Sequence, residues 1–143
     1  MVKPAFAPDS ELAARLRAAV AKLHRRLRQE AAAGLSPSQS SVLATVARLQ
    51  SPTLKAIAEA EQVQPPTISK VIEFLLGRGL ILRSTDEIDR RVSRVALTPL
   101  GRSTLKQVRA ARSAFLAERL ADMEGMDHQR LEELVAVLEA MSS

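Results

Sequence analysis

The sequence predicts a mainly α-helical chain (α+β) with one two-stranded β-hairpin, and three observations predict it. Residues 68–76 carry Ile68, Val71, Ile72, Leu75 and Leu76 at the i, i+3, i+4, i+7, i+8 spacing of a single apolar helical stripe. A shorter apolar edge, Leu54, Ile57 and Ala58, precedes it, with only Gln62 to Gln64 left for a turn between the two helices. After Gly77 and Gly79 come Leu80–Leu82, a polar stretch from Thr85 to Arg91, and Val95–Leu97, the pattern of two short strands joined by a charged tip. Helix, turn, helix and hairpin in that order make a winged helix-turn-helix over residues 35–98. Residues 1–34 and 99–143 then form a helical dimerisation region within one structural unit.

Helix one is expected from about Asp9 to Ala33, capped by Asp9 or Ser10 and stopped by Gly34. Leu12, Leu16, Ala19, Val20, Leu23 and Leu27 form its stripe. Ser36-Pro37-Ser38-Gln39 opens helix two with Ser at the N-cap, Pro at the first position and Gln three residues on, a capping box. Val42, Leu43, Val46, Ala47 and Leu49 supply its buried side, and Ser51-Pro52 ends it. In the following short helix Ala58 is the important residue, because a small side chain lets two helices cross closely.

Pro65 and Pro66 stand where the next helix begins, a place where a missing N–H costs no hydrogen bond. The face opposite its apolar stripe carries Pro66, Thr67, Ser69, Lys70 and Glu73. These are small or polar groups near the helix start, where a helix entering the DNA major groove places its base-reading residues. Gln64, Thr67, Ser69 and Lys70 are the expected base contacts, and the helix start near Pro65 is expected to offer backbone N–H groups to a phosphate. A solvated face of an ordinary amphipathic helix is the bland alternative. The neighbouring helix and hairpin favour the DNA reading.

The tip between the strands contains Asp86, Glu87, Ile88, Asp89, Arg90 and Arg91, too polar to bury. An arginine on a projecting loop can enter the narrow, electronegative minor groove, and Asp89 can pair with Arg91 and hold it extended. Arg94 is either a further DNA contact with Asp89, Arg90 and Arg91, or is paired back to Asp86 or Glu87. Thr98-Pro99 caps helix five, which continues through Leu105, Val108, Phe115, Leu116 and Leu120 until Gly125 breaks it. Asp127, bracketed by Met126 and Leu131, starts the last helix.

On these residues the chain resembles the MarR (multiple antibiotic resistance regulator) family of bacterial transcription factors. The order LKAIAEAEQVQPPTISKVIEFLLGRGLI, DEIDRRVSRVALT and PLGRSTL carries the likeness, and GLSPSQSSVLATVARL resembles the family's preceding helix. Asp89 and Arg91 match the family's Asp-x-Arg element. Arg94 and Glu87 depart from it, standing where an aliphatic residue and Pro are usual. The resemblance implies a ligand-responsive repressor that releases DNA when a small anionic or aromatic effector binds. His24 is a weak candidate contact for that effector.

Composition agrees and excludes. The 143 residues include no Cys, which rules out disulfides and thiolate metal sites. Three Phe and no Trp or Tyr leave little for stacking single-stranded bases, so double-stranded DNA is the expected nucleic acid. No apolar run approaches a membrane span, and MVKPAFAPDS lacks a signal-peptide core, so a cytoplasmic protein without a membrane partner is expected. His24 and His128 lie on different helices, and no nucleophile–base pair, metal-ligand spacing or phosphate loop occurs. Neither catalysis nor a metal or cofactor is therefore expected.

The net charge is +5, distributed as +5 over residues 1–51, +1 over 52–98 and −1 over 99–143. Much of the excess lies in Lys22, Arg25, Arg26 and Arg28, which are a solvated face or a contact for DNA flanks or an anionic ligand. The nearly neutral winged segment keeps two alternatives in view, a protein-interaction module and a non-specific architectural DNA binder. The last helix, with Leu131, Leu134, Val135, Leu138 and Met141 on one side, is too short to be stable alone in water. With Leu12 and Leu16 it is expected to bury against a second copy, giving a homodimer on a pseudo-palindromic site.

Overall fold

A computed structural model of the chain describes residues 9–30 and 32–143. The signal-peptide reading of the first residues lies largely outside this range, as does Ala31. Six helices and two strands follow in the order α1 (Ser10–Gln29), α2 (Pro37–Leu49), α3 (Leu54–Glu61), α4 (Pro65–Gly77), β1 (Ile81–Thr85), β2 (Ser93–Leu97), α5 (Pro99–Ala121) and α6 (His128–Ser142).

The caps follow the side-chain chemistry. Asp9 accepts from the Leu12 N–H at 2.6 Å and starts α1. At α2 the Ser36 hydroxyl accepts from Gln39 N–H at 3.2 Å, while the Gln39 side chain accepts from Ser36 N–H at 2.8 Å, so two end donors are satisfied reciprocally. Thr53, Thr98 and Asp127 cap α3, α5 and α6, each side chain accepting from the N–H three residues on. Helix α1 ends at Gln29 rather than Ala33. Ala33 and Gly34 take left-handed φ angles of 55° and 70°, and that turn drives Leu35 into the core at 3% exposure. Burial of Leu35 outweighs another turn of helix.

The core lies between α2, α3, α4 and the base of the hairpin: Leu43, Ile57, Ile72, Leu75 and Val95 have no exposed surface. Ala58 is buried there as expected, and Ile68 joins it from α4. Glu61, at the end of α3, accepts from Ser41 Oγ at 2.9 Å and Thr45 Oγ1 at 2.5 Å, tying α3 to α2 by polar contacts as well as apolar ones. The strands pair antiparallel with Ile81 opposite Leu97 and Thr85 opposite Ser93, so β1 extends three residues beyond the expected Leu80–Leu82 run. From β2, Val95 N–H donates to Pro52 O at 3.1 Å and Arg94 bridges Thr53, which stitches the α2–α3 link to the hairpin.

The joint between hairpin and α5 is close. Thr98 Oγ1 accepts from Gly101 N–H at 2.9 Å and donates to Gly79 O at 2.6 Å. A Cβ on Gly101 would lie 1.9 Å from Leu80 O, so only glycine admits this approach. By contrast α1 and α6 contain no buried residue. Among the described residues no helix is long and apolar enough to cross a membrane.

Candidate nucleic-acid interface

Helix α4 is anchored by Ile68, Ile72 and Leu75, and this fixes which face remains outside. Gln64, Pro66, Thr67, Lys70 and Glu73 are exposed, and Lys70 belongs to no ion pair among the described residues. Ser69 is half-buried, and its hydroxyl donates to Pro65 O at 3.1 Å, leaving only the oxygen lone pairs for an outside donor. Gln64 is the N-cap residue but makes no side-chain cap, so its amide is uncommitted.

The expectation of N–H groups at this helix start is corrected by the backbone. Pro65 and Pro66 have none to offer, and the Thr67 N–H donates to Gln64 O at 3.0 Å. The side chains of Gln64 and Lys70 are therefore the principal donors at this end of the helix.

The hairpin tip is organised by Asp86. One carboxylate oxygen accepts from the N–H groups of Ile88 and Asp89 at 2.8 and 2.9 Å, and the other accepts from Arg94 Nε at 2.6 Å. These donors, the Asp89 N–H first and the Arg94 side chain next, hold the Asp86 carboxyl down to about 2. Asp89 chelates Arg91 with Nε–Oδ1 at 3.1 Å and Nη2–Oδ2 at 3.2 Å, and this pairing, together with the Arg91 backbone N–H, lowers its acidity range as well. The expected Asp89–Arg91 pair is formed, and the Arg91 side chain is nonetheless 90% exposed. Arg90 is exposed too, and Ile88 is 99% exposed. Arg94 turns back: besides Asp86, it donates from Nη1 to Ser51 O at 3.1 Å. Of its two expected roles, the structure shows the pairing with Asp86.

The model of the MarR family matches residues 35–93, which run from just before α2 to the first residue of β2. An HTH-type transcriptional regulator of Mycobacterium bovis is 38% identical over 116 residues, covering 80% of this chain and 81% of that protein. The chain belongs to the MarR family. The HTH-type transcriptional repressor MdtR of Bacillus subtilis is 33% identical over 88 residues, 62% of this chain and 57% of its own. The crystal structure of a putative transcriptional regulator from Pseudomonas aeruginosa has a TM-score of 0.71 at 32% identity, covering 92% of each chain. The protein is thus a DNA-binding transcriptional regulator of the MarR family, with the winged fold of its relatives.

In this MarR-family chain the basic residues of α1 meet α5. Phe115 lies under two guanidinium groups, Arg26 at 5.2 Å and Arg119 at 5.0 Å from the ring centroid. Around them Lys22 and Arg25 line a groove floored by Ala19, Leu23 and Met123. His24 is exposed and does not line the groove. Arg28 is half-buried outside it. Sequence reasoning named Phe115 only as part of a stripe and missed Arg119, because nothing local links residue 26 to residues 115 and 119. It named Asp86 as a possible partner of Arg94 but not as the acceptor of the Ile88 and Asp89 N–H groups, although Asp at the start of a tight turn commonly accepts from N–H groups two and three residues on.

Proposed function

We propose that this regulator is a homodimeric repressor of a pseudo-palindromic operator, released by a small anionic, partly aromatic effector. The observation that carries the operator reading is the pairing of two outward polar surfaces on one core: the Gln64, Pro66, Thr67, Ser69 and Lys70 side of α4, where Gln64, Thr67 and Lys70 carry the donors, and the Arg90–Arg91 tip. Lys70 and Gln64 suit base edges in the major groove, and Arg91 suits the minor groove. Asp89 and Arg94 act by shaping the tip.

Dimerisation is supported by surface that one chain leaves uncovered. Leu12 and Leu16 on α1 are 49% and 44% exposed, and Leu134 and Val135 on α6 are each 44% exposed, with Leu131 and Leu138 beside them. Contiguous apolar helix faces of this kind mark interfaces. A two-fold axis through residues 1–34 and 99–143 would set the two 35–98 units about 34 to 36 Å apart, one DNA turn. The groove of Lys22, Arg25, Arg26 and Arg119 around Phe115 offers charge and an aromatic wall to an effector. An effector there acts by binding better to a dimer with the wrong spacing.

Selection of bound duplexes from a random pool tests the whole reading. Two inverted half-sites about 10 base pairs apart are expected. Recovery of no motif would replace it with non-specific binding, and absence of salt-sensitive duplex binding would replace it with a protein-docking role.

A further inference from the structure

The tip of the hairpin carries an apolar side chain that the fold does nothing to cover. Ile88 is 99% exposed, while every other residue from 86 to 91 is acidic or basic. Its position is not loose. The Asp86 carboxylate takes the Ile88 and Asp89 N–H groups, Asp86 N–H donates to Val92 O at 2.9 Å, and Val92 N–H donates to Asp89 O at 3.0 Å. Asp86 is itself gripped by Arg94. The backbone is therefore pinned on both sides of a β-branched residue whose side chain stands in water, an arrangement that gains nothing for the isolated chain.

Two and three residues further on, Arg90 and Arg91 are exposed, with Arg91 spread on Asp89. A surface that brings guanidinium groups to a minor groove also brings the neighbouring apolar group to the groove walls. Those walls are deoxyribose C–H, the only extensive apolar surface that a duplex offers outside its stacked bases. Isoleucine has no donor for a phosphate and no acceptor for a base edge, so its contribution there is burial against sugar.

We infer that Ile88 is a DNA-contacting residue that packs against the deoxyribose wall of the minor groove, carried in by Arg90 and Arg91. This rests on the proposed operator binding, and adds to it a contact that is not electrostatic. Its signature follows from that difference. Loss of a phosphate-directed cation lowers the dependence of affinity on salt, whereas loss of an apolar contact lowers affinity equally at all salt concentrations.

The test measures the full chain, as wild type, Ile88→Ala, Ile88→Val and Arg91→Ala, on a duplex carrying the selected motif across a series of salt concentrations. Ile88→Ala is expected to bind roughly tenfold more weakly at each salt concentration, from the apolar area it no longer buries, with the salt slope unchanged. Ile88→Val should retain most of the affinity, and Arg91→Ala should reduce the slope. Thermal midpoints of the Ile88 variants should equal that of wild type, since the side chain touches nothing in the fold. If wild type binds with a steep salt slope and Ile88→Ala binds equally well, the inference is overturned while the operator reading stands. If wild type shows no salt-dependent duplex binding, the operator reading itself fails.

Discussion

Arg94 Nε lies 2.6 Å from Asp86 Oδ2, and the same guanidinium reaches Ser51 O, 43 positions back along the chain. One side chain therefore joins the hairpin tip, β2 and the α2–α3 link. This chain has arginine where the family resemblance leads one to expect an aliphatic residue. The wing's aim relative to α4 is set here by an ion pair as well as by strand pairing.

The first prediction concerns that ion pair and pH. The Asp86 carboxyl is held near 2 in the folded state, below its ordinary value of 3.8, so the folded state favours the ionised form. The stabilisation is fully present above about pH 4 and is lost as pH falls through about 2. Thermal midpoints of wild type should fall over that window more than those of Asp86→Asn, which has no proton to gain. Parallel curves would show that the carboxylate does not hold the tip. Arg94→Leu should bind the selected duplex several-fold more weakly with little change in fold, a loss that Arg94→Lys only partly restores because lysine cannot fork between Asp86 and Ser51 O.

Gly101→Ala places a methyl group against the Leu80 carbonyl, which is backbone and itself accepts from Thr98 N–H at 3.1 Å. Relief requires α5 to lift from the link between α4 and β1. A destabilisation of about 1 to 3 kcal/mol is expected, read from the urea midpoint. An unchanged midpoint would mean that the joint yields freely.

Ala58→Leu inserts three heavy atoms at a position of α3 that is buried in the core at 5% exposure. The expected cost is roughly 1 to 3 kcal/mol, with DNA binding reduced further because α3 sets the height of α4. Equal melting curves for variant and wild type would count against a tight crossing.

Lys70 stands exposed on α4 and belongs to no ion pair among the described residues. If it reads a base, Lys70→Ala should lose on the order of 1 to 3 kcal/mol on the selected duplex and relax preference at one position. Equal losses on all duplexes would make it a phosphate contact instead.

Much of this protein was written in local order along the chain. The capping box at Ser36 and Gln39, the Asp127 and Thr98 caps, the α4 stripe and the Asp89–Arg91 pair each depend on residues within about one or two turns, where spacing alone places side chains together. The sequence by itself therefore determined that a short helix, a turn, a longer helix and a hairpin would follow one another, and which side of α4 would be left to solvent. Tertiary structure decided what distance in sequence conceals. Leu35 ends α1 early by entering the core, Ser51 receives Arg94, Arg26 meets Arg119 over Phe115, and Gly101 is glycine because a distant carbonyl fills the space of a Cβ. Periodicity and capping report the chain against itself over a few residues, whereas these contacts exist only once separate elements have been packed at van der Waals distance.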